Sequence, residues 1–99
     1  MGRQLSETDA RLYRLCDEAL YYLWDPIGVH DIPQARDEYE SYLPHAFSLV
    51  KSGARDELVG YLTDLVGERM GLEPDVAAAE SAARFMLEAR AWIEESAAS

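Results

Sequence analysis

Four stretches of this chain repeat apolar residues at helical spacing, and a glycine or proline stands at each junction between them. An apolar stripe of period 3.6 has to be covered by another apolar surface, and no segment alternates with period 2 for long enough to make a strand. Within 99 residues the stripes have only one another for cover. The pattern therefore predicts an all-α protein: a single compact domain of about four helices joined by short loops. The domain takes in residues 1–99, with 1–5 and 96–99 expected to fray.

The first helix opens at Ser6-Glu7-Thr8-Asp9. Ser6 or Thr8 can accept a hydrogen bond from an exposed backbone N–H there, and the early acids favour the positive end of the helix dipole. Its stripe is Leu12, Leu15, Cys16, Ala19, Leu20 and Leu23. At Trp24-Asp25-Pro26-Ile27-Gly28 the chain turns, because Pro26 disfavours the α region for Asp25 and Gly28 tolerates positive φ. A loop runs on to Pro33 or Arg36. The second segment, residues 37–50, sets Tyr39, Tyr42, Leu43, Ala46 and Val50 on one side. It is either kinked or split at Pro44, the kink being preferred. Gly53 closes it as a C′ residue. A third helix follows from about Ala54 to Met70, with Leu58, Tyr61, Leu62, Leu65 and Val66 inward, and Gly71 stops it. The fourth begins at Glu73-Pro74-Asp75 with proline at its first helical position, and its stripe is Ala78, Ala82, Phe85, Met86, Ala89, Trp92 and Ile93.

Formal net charge is −10, from 19 acidic residues against 9 basic ones. Such a field repels phosphate backbones, so no nucleic-acid partner is expected; it either steers a basic partner protein or serves solubility alone. The one cysteine, Cys16, rules out an intramolecular disulfide and sits on an apolar stripe, where free cysteine behaves as a small hydrophobe. With no secretory or transit pattern at residues 1–7 and no apolar run near membrane-spanning length, the expected setting is cytoplasmic, with no membrane partner.

Motifs that carry chemistry are missing. There is no Glu-x-x-His pair on a helix, no H-E-x-x-H, no cysteine pair, no EF-hand loop and no phosphate-binding glycine motif. No cofactor, no metal and no enzymatic activity are expected. The alternative in the enzyme class is a small metal-dependent hydrolase using Asp25, His30 and Asp37 as ligands or acid/base groups.

The stretch from Trp24 to Tyr42 carries five acids, Asp25, Asp31, Asp37, Glu38 and Glu40, against Arg36 alone, interleaved with Trp24, Tyr39 and Tyr42. Carboxylates beside aromatic rings suit recognition of an Arg- or Lys-rich surface, since rings give rigid contact area and cation–π partners while acids steer the encounter. The same residues also have a packing role open to them, with Tyr39 and Tyr42 at i, i+3 half in the core, Trp24 capping it, and the acids solvated.

The order Trp24-Asp25-Pro26-Ile27-Gly28-Val29, then Asp37-Glu38-Tyr39-Glu40-Ser41-Tyr42, then Gly53-Ala54 and Met70-Gly71-Leu72 resembles a family of small bacterial proteins of unknown function. Its members read W-D-P-[IL]-G-V, D-E-Y-[DE]-S-Y, a Gly-Ala break and M-G-L. The resemblance spans about Leu20 to Leu72. It implies a compact helical fold and a bacterial cytosolic origin, and it brings no catalytic or binding residues with it. By analogy with short acidic immunity proteins and antitoxins, the functional expectation is a non-enzymatic protein-binding module inhibiting a basic partner. Asp25, Asp31, Asp37, Glu38, Tyr39, Glu40 and Tyr42 are its candidate contact residues. A self-associating structural protein, a homo-oligomer using leftover apolar surface such as Trp92, Ile93, Phe47 and Leu49, is the third expectation.

Overall fold

The computed structural model describes residues 5–25, 28, 32, 34 and 37–98. Helix α1, Glu7–Ala19, is started by Ser6, whose Oγ accepts from the Asp9 N–H at 3.1 Å, so Ser6 rather than Thr8 supplies the cap. The helix does not simply end at the expected turn. It widens into a π turn over Leu20–Trp24, closed by the Asp25 N–H donating to the Leu20 carbonyl at 3.0 Å, and Asp25 then takes the left-handed conformation at φ 30°.

A single 3₁₀ turn, Glu40–Tyr42, leads into α2, Leu43–Ser52. The segment around Pro44 is thus split, not kinked. Pro44 falls in the first turn of α2, where a helix has no acceptor for its N–H anyway, so the proline costs no ladder bond. Gly53, at φ 72°, reverses the chain with the Gly53 N–H on the Val50 carbonyl and the Ala54 N–H on the Leu49 carbonyl, the two bonds of a Schellman closure. Helix α3, Arg55–Asp64, also widens at its end, into a π turn over Leu65–Arg69. Helix α4, Val76–Ala98, begins two residues later than its proline suggested: the Asp75 carboxylate accepts from the Ala78 N–H at 3.1 Å, leaving Pro74 ahead of the helix rather than at its first position. At the other end α4 stays helical through Ala98, across residues expected to fray.

Among the described residues there is no strand, and the four helices form one all-α domain. Helix α4 packs against both α1 and α3, while α2 lies against α1 and α3. Helices α1 and α2 run antiparallel, since Asp9 meets Lys51 and Tyr13 meets Phe47, and α2 and α3, joined by the Gly53 reversal, meet through His45 and Tyr61. The core holds Leu12, Cys16 and Leu20 from the first helix with Val50, Leu58, Leu62, Met86 and Ile93, and no polar or charged side chain is buried among the described residues. Ala79, Ala82 and Ala83 are fully covered, and these short side chains let α4 approach its neighbours closely.

The first π turn changes which residues that core receives, whereas the second buries Leu65 and Val66 as their spacing expects. In an α-helix Leu23 would follow Ala19 and Leu20 inward. The extra residue in the π turn sets the ladder to i, i+5, so Tyr21 follows Cys16, Trp24 follows Ala19, and Leu23 is turned out to 43% exposure. Burying the larger Trp24 in place of Leu23 gains roughly 2 kcal/mol in apolar area. Tyr21 and Trp24 also satisfy their polar ends, the Tyr21 hydroxyl donating to the Ile32 carbonyl at 2.9 Å and Trp24 Nε1 to the Leu62 carbonyl at 3.2 Å.

Candidate interaction face

The aromatic residues between Trp24 and Tyr42 come together as one corner of the fold. Trp24 meets Tyr39 edge-on with ring centroids 5.2 Å apart and Tyr42 at 6.1 Å. Tyr39 is 2% exposed, and its hydroxyl donates to Asp25 Oδ1 at 2.7 Å. That bond holds the carboxylate of the residue whose backbone is forced to positive φ, so the turn after α1 and the turn before α2 are fixed to each other. Tyr42 is half-buried, and its carbonyl accepts weakly from the Tyr61 hydroxyl at 3.5 Å. Burial, followed by nearby Tyr42, raises the Tyr61 hydroxyl pKa, while Arg69 pulls it down.

The expected contact residues therefore divide. Asp37, Glu38 and Glu40 are exposed around the 3₁₀ turn, whereas Tyr39 is a packing residue beneath them and Asp25 is half-buried. Tyr39 cannot offer its ring to a partner, because that ring is spent on Trp24. Asp37 stays on the surface and uses its backbone carbonyl to accept from the Glu40 N–H at 3.1 Å. Asp31 lies outside the described residues, as does His30 of the alternative metal reading. Among the described residues no group of three or more His, Cys, Asp or Glu side chains stands close enough to hold a metal ion.

Two concavities border this corner. One, of about 340 Å³, runs between α1 and the start of α2 and is lined by Ala10, Tyr13, Arg14, Asp17, Glu40 and Leu43. The Tyr13 hydroxyl there has its pKa raised, first by burial and then by the nearby charges of Glu40 and Asp17. The other, of about 230 Å³, is floored by Trp24 and Val66 and rimmed by Asp25, Glu73 and Asp75. Asp17, Glu73 and Asp75 were not among the residues expected from sequence. The last two come from beyond the third helix, and only the charge tally of residues 72–99, six acids against two arginines, hinted at them. What the arrangement offers is a surface of carboxylates held over rigid, covered aromatic rings, with Arg14 as the one basic side chain lining either concavity.

No protein-family model matches the chain, and neither a curated protein nor a solved structure matches it.

Proposed function

We propose that this protein is a non-enzymatic binding module that captures a basic partner protein on the acidic face around the 3₁₀ turn, in its most concrete form an inhibitor of the immunity or antitoxin kind. The observation that carries the reading is the placement of Asp37, Glu38 and Glu40 on the surface over a fixed support: Tyr39 is buried against Trp24 and bonded to Asp25. A preorganised carboxylate surface loses little freedom on binding and steers a cationic partner by its field. The groove beside Tyr13 continues the surface, adding Asp17 next to Glu40. The resemblance to small bacterial proteins and the net charge of −10 support the class of partner, a basic protein, and a cytoplasmic site of action.

The test compares two neutralised variants of the full chain. One carries Asp37→Asn, Glu38→Gln and Glu40→Gln; the other carries Glu80→Gln, Glu88→Gln and Glu95→Gln on exposed positions of α4, so both lose equal charge. Captured from the native host, one basic protein should bind the unmodified chain and the α4 variant but not the turn variant. Its affinity should fall as salt shortens the screening length to about 8 Å near 0.15 M and below. Binding that persists in the turn variant, equal loss in both variants, or no basic partner at all would refute the reading.

A further inference from the structure

Opposite in character to the acidic turn is the seam where α1 and its π turn meet α4. Tyr22 is 56% exposed, Leu23 43%, Phe85 38% and Trp92 59%, and all four belong to this seam. One end is a shallow depression of about 250 Å³ lined by Glu18, Ala19, Tyr22, Leu23 and Phe85. At the other end the Arg11 guanidinium lies over the Trp92 ring, 5.7 Å from its centroid. Half-buried Leu15 and Ala89 are the α1 and α4 positions between the two ends. These pairings also fix α1 and α4 as antiparallel.

The spacing is that of a second packing stripe. Residues 11, 15 and 18 on α1, and 85, 89 and 92 on α4, follow one another by four and three, the spacing by which helices mesh side by side, and the π turn adds Tyr22 and Leu23 beyond Glu18. These are not the positions that fill the core of the domain, which are Leu12, Cys16 and Ala19 on α1 and Ala79, Ala82, Met86 and Ile93 on α4. With half of each large side chain open, the four residues alone expose roughly 400 Å² at about 200 Å² per side chain, as large as the largest patch of an ordinary monomer. With Arg11, Leu15, Glu18 and Ala89 added, the patch still stays below the roughly 800 Å² per partner of a standard interface, the size of a weak, reversible contact.

The seam is also complementary to itself. Its charged groups on α1 are Arg11 at one end and Glu18 at the other. A two-fold axis crossing the helices near Leu15 and Ala89 lays each α1 antiparallel on the second copy's α1, so Arg11 of one faces Glu18 of the other, twice. On α4 the same axis sets Trp92 over the second copy's Phe85 and leaves the short Ala89 where the helices cross. A parallel pairing would put Arg11 against Arg11. We infer that this chain forms a two-fold homodimer through the α1/α4 seam, an interface separate from the acidic turn and independent of what binds there.

Light scattering on the full chain across a concentration series reads the result directly. The mass should double with a Kd on the order of 10 μM, the weak end for an interface of this area. Trp92→Glu should give a monomer whose helical circular dichroism is unchanged and whose melting temperature, measured well below that Kd where both chains are monomeric, matches that of the unmodified protein, since Trp92 lies outside the core. Arg11→Glu and Glu18→Arg should each weaken the dimer about tenfold or more, and the double variant should recover most of the loss because each reversed charge meets a reversed partner. A chain that stays monomeric about 100-fold above that Kd, a dimer untouched by Trp92→Glu, or a double variant no better than its parents would overturn the inference.

Discussion

Two aromatic groups flank the same π turn and meet opposite fates. Trp24, with Tyr39 and Tyr42, closes the end of the core, and Trp24 and Tyr39 are almost wholly covered. Tyr22, with Leu23 and the α4 residues Phe85 and Trp92, stands in solvent. Composition does not separate them, since both are Trp, Tyr and apolar neighbours on helical segments. What separates them is phase. One added residue in the turn rotates the end of the first helix, sending Tyr21 and Trp24 inward and Tyr22 and Leu23 outward. The same step that completes the core thus adds Leu23 to an exposed seam whose other half, Phe85 and Trp92, stands outside the alanine-centred core of α4.

The contrast breaks most visibly by truncation. Trp24→Ala should destabilise the fold by about 3–5 kcal/mol, losing a filled site and the bond to the Leu62 carbonyl, while Trp92→Ala should stay within about 0.5 kcal/mol. Urea unfolding of the monomeric protein measures both, and equal losses would show that burial does not distinguish the two indoles. A smaller effect is expected at the turn itself. Asp25→Val should cost about 1–3 kcal/mol, because a β-branched residue is poorly tolerated at positive φ and cannot accept from Tyr39. Asp25→Asn, which tolerates that conformation and still accepts, should lose less than half as much. Thermal melts of the pair decide this.

The mildest probe uses the buried side of α1. Burial pushes the Cys16 thiol up to about 12 from its ordinary 9.0. In the unfolded chain that thiol ionises near its ordinary value, whereas in the fold it keeps its proton, so the native state binds more protons above pH 9 and stability must fall as pH rises. Between pH 9 and 10 the loss from this thiol should reach about 1 kcal/mol. Tyr13 and Tyr61, both raised, add to the same slope at higher pH. Denaturant melts at the two pH values should show a shallower decline for Cys16→Ala, and an identical slope would mean that the thiol does not contribute.

Much of this fold is legible in the chain because local rules and burial agree. Leu12, Cys16, Leu43, Ala46, Val50, Leu58, Leu62, Met86 and Ile93 are where their spacing puts them, and Ser6 and Gly53 perform the cap and the reversal that their chemistry suits. Misreadings cluster where two rules compete. Pro44 was compatible with a kink or a split, and the 3₁₀ turn before it decides for the split. Pro74 and Asp75 both suit a helix start, and the side-chain bond from Ala78 to Asp75 gives the start to the aspartate. Leu23, Phe85 and Trp92 belong to the periodic stripes, yet they stand outside the core because the π turn shifts one stripe and the α4 core centres on its alanines.

The acidic face shows the same division. Its local part, Asp37, Glu38 and Glu40, can be read as a run of charge, and so can the aromatic residues beside it. That Tyr39 supports the surface from below, or that Glu73 and Asp75 border the same concavity as Asp25, follows only from how the helices cross.

By itself the sequence determined that the chain is helical, narrowed the first cap to Ser6 or Thr8 and placed the reversal at Gly53, because capping, glycine reversals and 3.6-residue periodicity act within a few residues of one another, and its negative charge is a matter of composition. The tertiary structure decided the phase at the end of α1, the covering of Trp24 and Tyr39, and the exposure of Tyr22 and Trp92. Those outcomes depend on which residue best fills the space left by α3 and α4, a choice that no local preference encodes.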